Sequence, residues 1–235
     1  MPVTATDIAK MIDHSLLKPT LSVGELEAGL DVAIRYHVAS VCILPYYLPR
    51  CVARLDGTGV LPSTTIGFPH GAQHTAIKAA EADQAIAEGC QELDMVVNIS
   101  KVLSGDWQYV RDDLFAVIEP AHAEHRKVKV IFENCYLADE QKIRLCELCG
   151  ELKADWVKTS TGYGTGGATL EDLELMRRHS PPEVQVKAAG GVRTLEMAMK
   201  VREAGATRFG ATATAAILEE ARKRLPAGDE GGEEA

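Results

Sequence analysis

The sequence predicts a (β/α)8 TIM barrel with a short N-terminal helix, and three observations carry that prediction. Eight short apolar runs recur along residues 1–224, their starts 23 to 36 residues apart, the length of one strand, one helix and two loops. Helical periodicity fills most of the gaps between them. Runs such as MVV and KVIF are too continuously apolar for a sheet with one wet face and suit parallel strands covered on both sides. A doubly wound open sheet is the alternative, but the first strand–helix turn lacks the G-x-G-x-x-G of a dinucleotide fold.

A short helix is expected at 4–11, before the first run. The strand-like runs are Asp13–Leu16, Ser40–Pro45, Thr64–Phe68, Glu92–Asn98, Val128–Glu133, Asp155–Thr159, Val184–Ala188 and Thr207–Gly210. Apolar residues at three- and four-residue spacing mark helices over 22–36, 72–88, 106–123, 138–151, 170–178, 194–204 and 213–224. Ser22, three residues before Glu25, has capping-box spacing, and Thr194 stands as an N-cap. Gly89 and Gly205 fall just past helical patterns, where a left-handed stop is wanted.

A single catalytic domain over 1–224 and an acidic, disordered tail over 225–235 are the expected organisation. The net charge is −9, and the tail supplies four of those negatives through Asp229, Glu230, Glu233 and Glu234. No Lys/Arg-rich stripe offers a nucleic-acid surface. No apolar stretch approaches the roughly 20 residues that span a bilayer. The N-terminus has Asp7 and no apolar core, so it does not read as a secretory signal, and a cytoplasmic location is expected. The oligomeric state is not legible; a homo-oligomer, most simply a dimer, is the general prior for soluble enzymes.

Six cysteines include one C-x-x-C, Cys146 and Cys149, without a second pair, so reduced thiols are expected rather than a zinc site. Cys42 and Cys135 both fall in strand-like runs. His70 and His74 have i, i+4 spacing at a helix start, but no H-E-x-x-H glutamate stands between them and no third ligand is evident. His122 and His125 read as solvent-facing, Lys78 and Lys101 as surface charges, and Trp156 as packing. No metal and no cofactor are expected.

In a barrel of this kind the chemistry sits at the C-terminal ends of the strands. Among the polar residues inside or ending the runs, the candidates are Asp13, Asp94, Asn98, Glu133, Lys158, Thr159 and Lys187. Asp94 lies between Leu93 and Met95; if those face the helices, strand alternation turns Asp94 inward. It then needs a cation, whether for catalysis or only as a structural ion pair. Lys158 and Lys187 end the sixth and seventh runs, which are barrel neighbours. Two ammonium groups about 5 Å apart repel by roughly 3 kcal/mol at an effective dielectric near 20. Repulsion and desolvation together favour a neutral amine, which is how a lysine is prepared to attack a carbonyl.

Glycine-rich chain follows the same strands. Gly162, Gly164, Gly166 and Gly167 follow the sixth, Gly190 and Gly191 the seventh, and Gly210 and Thr212 the eighth. Loops there, with a helix N-terminus, form the usual phosphate cradle of the fold. The residues thus point to a phosphorylated carbonyl compound, a Schiff-base lysine and aldol chemistry. A metal-dependent lyase or isomerase and a non-catalytic sugar-phosphate-binding barrel remain the alternatives.

WVKTSTGYGTGGAT, VQVKAAGGVRT, ELDMVVN, TIGFPHG, SVCILPYY and DHSLLKP together resemble the deoxyribose-phosphate aldolase family, in order from about residue 7 to residue 218. The resemblance implies a metal-free class I aldolase that interconverts 2-deoxy-D-ribose 5-phosphate with glyceraldehyde 3-phosphate and acetaldehyde. It implies Lys158 as the Schiff-base lysine, Lys187 as the lysine that perturbs it, Asp94 as the proton donor and acceptor, and Asp13 as a substrate contact. Thr159, Gly162, Gly190, Gly191, Gly210 and Thr212 complete the expected substrate site. The chain departs from the pattern in three ways. The phosphate segment Gly210-Ala211-Thr212-Ala213 keeps one hydroxyl where two can occur, Tyr163 stands where some members have lysine, and the tail lacks a tyrosine.

Overall fold

Eight parallel strands close edge to edge in chain order in the computed structural model, which describes residues 2–226. They are β1 (Ile12–Leu16), β2 (Ser40–Ile43), β3 (Leu61–Ile66), β4 (Glu92–Val96), β5 (Lys127–Ile131), β6 (Trp156–Lys158), β7 (Gln185–Ala188) and β8 (Arg208–Ala211). The last pairs with the first, Asp13 opposite Gly210. The (β/α)8 barrel expected from the sequence is the observed fold.

Around the barrel lie α1 (Ala5–Lys10), α2 (Val23–Arg35), α3 (Leu48–Leu55), α4 (Thr75–Ala87), α5 (Ile99–Leu103), α6 (Trp107–Ala123), α7 (Asp139–Glu151), α8 (Leu170–His179), α9 (Leu195–Glu203) and α10 (Thr214–Arg224). The caps behave as their residue types require. Ser22 Oγ accepts from Glu25 N while Glu25 reaches back to Ser22 N at 2.8 Å. Thr194 Oγ1 accepts from Met197 N at 3.2 Å. Gly89 and Gly205 take positive φ just past their helices.

Two helices are absent from the expectation, α3 and α5. In α3, Pro49 sits in the first turn, where a missing N–H costs nothing, although in the sequence it reads as a breaker. The third strand also begins and ends earlier than the run Thr64–Phe68, because the chain leaves the sheet at Gly67 with φ +64°. Cys135 lies in a short 3-10 turn and is exposed rather than in a strand. Most of the expected acidic tail lies outside the described residues. Its first two are described: Leu225 packs against the core, and the Pro226 carbonyl accepts from Ala5 N at 3.3 Å.

Alternation divides every strand between two environments. Leu93, Met95 and Val97 join the apolar layer under the helices, as do Val128, Val130, Val157, Val186 and Phe209. Their neighbours Glu92, Asp94, Lys129, Lys158, Lys187 and Arg208 turn the other way, into the barrel. The outer layer holds the fold together by apolar burial. The interior is where the unusual chemistry lies.

Candidate active site

The register of β6 and β7 sets Lys158 directly beside Lys187, so both side chains rise from one level of the barrel. On the far side, Asp94 in β4 pairs in register with Lys129 in β5. Asp94 Oδ2 accepts from Lys158 Nζ and from Lys187 Nζ, each at 2.7 Å, so the two nitrogens are no farther apart than twice that distance. Lys129 Nζ reaches Asp94 Oδ1 at 2.9 Å and Glu92 Oε2 at 2.5 Å. Asp13 lies 2.5 Å from Lys187 Nζ and 3.5 Å from Lys129 Nζ. Arg208 bonds both Asp13 and Glu92. Trp156 packs beneath, its ring 5.6 Å from Lys129 Nζ and 5.2 Å from the Arg208 guanidinium.

This network joins four cations to three carboxylates, all buried. With all seven ionised, one positive charge is in excess in a low-dielectric space. The amine with the fewest carboxylate partners is the one that sheds its proton at least cost. Lys129 has three partners, Lys187 two and Lys158 one, Asp94; Arg208 does not deprotonate. Burial accordingly pushes the Lys158 amine below the ordinary lysine range; Asp94 pulls it back and the Lys187 ammonium adds to the lowering. Burial acts on Lys187 too, but Asp13 and Asp94 outweigh it and its pKa lies above the ordinary value. Burial would raise Asp94, yet Lys129, Lys158 and Lys187 hold it well below the usual carboxylate range. The site therefore sets one amine toward neutrality and its neighbour toward charge. The sequence pointed to repulsion between the lysines as a leading cause; in the structure burial leads and the repulsion assists.

Lys158 is also the member of this network that reaches a cavity at the C-terminal mouth, of about 240 Å³. The wall includes Ser15, Thr161, Gly162, Gly190, Gly191 and Gly210, with Thr212 at the approach to α10. Two rim cations, Lys18 and Arg193, line it as well. Ala213, the N-cap of α10, offers no side-chain bond, so the first-turn N–H donors of that helix are not capped by it. The loops after β6 and β7 are packed backbone to backbone, and a Cβ at Gly167 would meet Gly190 O at 2.7 Å. A polar, cation-rimmed hollow with a lowered-pKa amine at its foot can bind an anion while a carbonyl reaches the amine.

The structure brings Lys158, Gly162, Gly190, Gly191, Gly210 and Thr212 onto one wall. Lys187, Asp94 and Asp13 lie below it, in the ion network. Thr159 is off the wall: its hydroxyl donates to Ala189 O at 3.2 Å and accepts from Ala189 N at 3.0 Å, stapling β6 to β7. Asn98 caps α5 through Lys101 N. Glu133 bonds Thr161 instead of facing the cavity.

Lys129, Glu92 and Arg208 were not among the sequence candidates, although all three lie within the strand-like runs. The alternation that turns Asp94 inward also turns Glu92, and Lys129 stands between Val128 and Val130 just as Asp94 stands between its apolar neighbours. Lys78 is not a surface charge but fully buried, paired with Asp113 Oδ2 at 2.5 Å. His122 is half-buried against Asp155 at 2.9 Å. Among the described residues no group of three or more His, Cys, Asp or Glu is placed to hold a metal ion. Nor is any described helix long and apolar enough to cross a membrane.

Fold and site together define a barrel enzyme built around a buried lysine whose pKa is lowered. Residues 8–220 match the sequence profile of the DeoC/LacD family aldolases, and the chain belongs to that family: it is an aldolase, a lyase. It is 67% identical to a deoxyribose-phosphate aldolase of Rhodopirellula baltica, over 93% of this chain and 91% of that protein. It is 48% identical to a deoxyribose-phosphate aldolase of Thermococcus gammatolerans, over 92% and 97%. Among solved structures, a deoxyribose phosphate aldolase from Aeropyrum pernix described as tetrameric superposes with a TM-score of 0.86 at 28% identity, covering 92% of each chain. A Coccidioides immitis structure gives 0.90 at 36% identity, over 94% of this chain and 88% of that one.

Proposed function

We propose that the protein reversibly cleaves 2-deoxy-D-ribose 5-phosphate to D-glyceraldehyde 3-phosphate and acetaldehyde through a Schiff base on Lys158. One observation carries this reading: among the three lysines of the buried network, the one with a single carboxylate partner and a lowered pKa is the one at the foot of the cavity. The deoxyribose-phosphate aldolases to which the chain is similar support the choice of substrate.

The neutral Lys158 amine adds to the C1 aldehyde of the open-chain sugar, and loss of water leaves an iminium. A base removes the proton of the C3 hydroxyl, the C2–C3 bond breaks, and its electron pair flows into the iminium to give an enamine. Glyceraldehyde 3-phosphate departs. Protonation of the enamine at C2 and hydrolysis release acetaldehyde and the free amine. Asp94 and the charged Lys187 share these proton transfers, through a water where the reacting atom is out of reach. Asp13 holds Lys187 charged from below. Gly190, Gly191, Gly210 and Thr212 receive the phosphate with backbone N–H groups and one hydroxyl. The reading needs no metal or cofactor. It takes residues 1–224 as one catalytic domain with an acidic tail beyond, working in the cytoplasm as a homo-oligomer.

Incubation with acetaldehyde and borohydride, followed by peptide mapping, tests it. Reductive trapping on Lys158, with cleavage of the sugar phosphate, is the expected result. Loss of activity in EDTA without trapping would support a metal-dependent lyase instead. Neither trapping nor cleavage would leave a sugar-phosphate-binding barrel.

A further inference from the structure

The loop after β6 lines the cavity and is also tied across its mouth. Tyr163 reaches the loop after β1 and donates its phenolic hydroxyl to Leu17 O at 2.5 Å. Its ring meets Phe68, in the loop after β3, edge to face with centroids 5.5 Å apart. Two residues earlier, the loop is fastened by a buried carboxylate. Glu133, at φ +58° just beyond β5, accepts from Thr161 N at 3.2 Å and from the Thr161 hydroxyl. Thr161 Oγ1 accepts in turn from Tyr163 N at 3.0 Å. Contacts thus run unbroken from the end of β5, through the β6 loop, to Leu17 at the start of the loop after β1.

The residue after Leu17 is Lys18, and both line the cavity with Tyr163 and with Arg193 of the loop after β7. An exposed lysine on a mobile loop is a poor anion ligand, because four rotatable bonds and the backbone beneath them must be ordered on binding. Fixing that backbone removes part of the cost before the ligand arrives. Tyr163 brings no charge of its own, so its contribution to an anion site is positional.

We propose that Tyr163 is a positioning residue that clasps the β1 loop, so that Lys18 acts with Arg193 as a second, opposed cation for the substrate's phosphate. This rests on the sugar-phosphate reading above and adds to it a phosphate contact from β1. Glu133 and Thr161 set the clasp; Tyr163 closes it; Lys18 is the group that touches the anion.

The test compares kcat/KM for 2-deoxyribose 5-phosphate with that for unphosphorylated 2-deoxyribose. Lys18→Met is expected to lower the ratio about tenfold, mainly through KM for the phosphate ester, the size of one charge-assisted hydrogen bond. Lys18→Arg should restore most of it. Tyr163→Phe, which keeps the ring on Phe68 and removes the bond to Leu17, should lower the ratio about threefold. Because Tyr163 acts through Lys18, the double variant should fall no further than Lys18→Met alone. An unmoved ratio in Lys18→Met overturns the proposal, and so do single effects that simply multiply in the double variant. If the parent enzyme neither traps acetaldehyde nor cleaves the sugar phosphate, the proposed function fails on its own. Calorimetry with inorganic phosphate then decides the clasp: weaker binding in Lys18→Met and Tyr163→Phe supports it, and equal affinity in all three proteins overturns it.

Discussion

Two regions of this molecule bury a lysine completely, and they use it in opposite ways. On the outer side of the barrel, Lys78 in α4 meets a single carboxylate, Asp113 in α6, and gives a further hydrogen bond to Val96 O at 2.9 Å. Asp113 Oδ1 is taken by the Thr75 hydroxyl at 2.8 Å. Charges there are matched one to one, and Lys78 does not reach the mouth cavity. Inside the barrel, Lys158 shares one oxygen of Asp94 with Lys187, in a network with more cations than carboxylates. Burial is the same; the supply of counter-charge differs. A matched pair fastens two helices, whereas a cation surplus beside a cavity leaves an amine free to react.

The sharpest way to break that contrast is to remove each lysine in turn. Lys158→Met is expected to abolish trapping by acetaldehyde and borohydride and to reduce turnover by about 10⁴-fold or more, with the fold intact by circular dichroism. Its loss relieves the charge surplus, so stability should hold or rise. A variant that still traps acetaldehyde at another lysine would refute the assignment. Asp94→Asn comes next, with a loss of about 10²- to 10⁴-fold, the range of a positioned proton-transfer group. It also leaves three lysines short of a carboxylate, so its melting temperature should fall. Near-normal turnover in a folded Asp94→Asn enzyme would remove Asp94 from the proton relay.

Lys78→Met should do the reverse of Lys158→Met. Breaking one side of a buried pair strands Asp113 and costs about 3–5 kcal/mol of stability. Enzyme that remains folded should still trap acetaldehyde. Urea unfolding beside a trapping assay reads both halves, and a stable but inactive variant would show that the two regions are coupled. Lys187→Leu probes the inner region more gently. Removing that ammonium takes away a repelling charge and leaves Asp94 Oδ2 to Lys158, so the Lys158 pKa should rise. The rising limb of the pH–rate profile depends on neutral Lys158 and should move to higher pH. An unmoved limb in an active variant would show that burial alone lowers Lys158.

The contrast also explains what could be read from the sequence. Strand spacing and unbroken apolar runs defined the barrel, because covered parallel strands impose both. Lys158, Lys187 and Asp94 were legible because strand ends and strand alternation locate a side chain without knowledge of its partners. Lys129, Glu92 and Arg208 obey the same alternation, Lys129 level with Asp94, so alternation marks them no less than it marks Asp94. What the sequence does not show is that they join Asp94 in one ion network, which depends on the register between strands. Lys78 was a different matter. It belongs to a helix with weak amphipathic contrast, and its partner lies 35 residues away on another helix. Local pattern cannot distinguish such a lysine from one in solvent, since the distinction depends on packing between elements.

The smallest expected effect isolates counter-charge from burial at two adjacent residues. Asp13 and His14 sit side by side in β1 and are both buried, but alternation sends them to opposite faces. Asp13 enters the ion network. Burial would raise its pKa, yet Lys129, Lys187 and Arg208 hold it below the usual carboxylate range. His14 faces outward, where its Nδ1 meets the Thr214 hydroxyl at 2.8 Å, and burial pushes its pKa down to about 4. Between that value and the unfolded value near 6.5, the unfolded chain binds the extra proton, so stability falls as the solution is acidified through this window. The integrated loss from His14 is about 3 kcal/mol, fully expressed below about pH 4 and absent above about pH 7. A His14→Asn variant should begin less stable at neutral pH and then lose less on acidification than the parent. Chemical denaturation at pH 7, 6, 5 and 4 measures both slopes; parallel slopes would mean that His14 is already charged in the fold and that burial without a counter-charge does not keep it neutral.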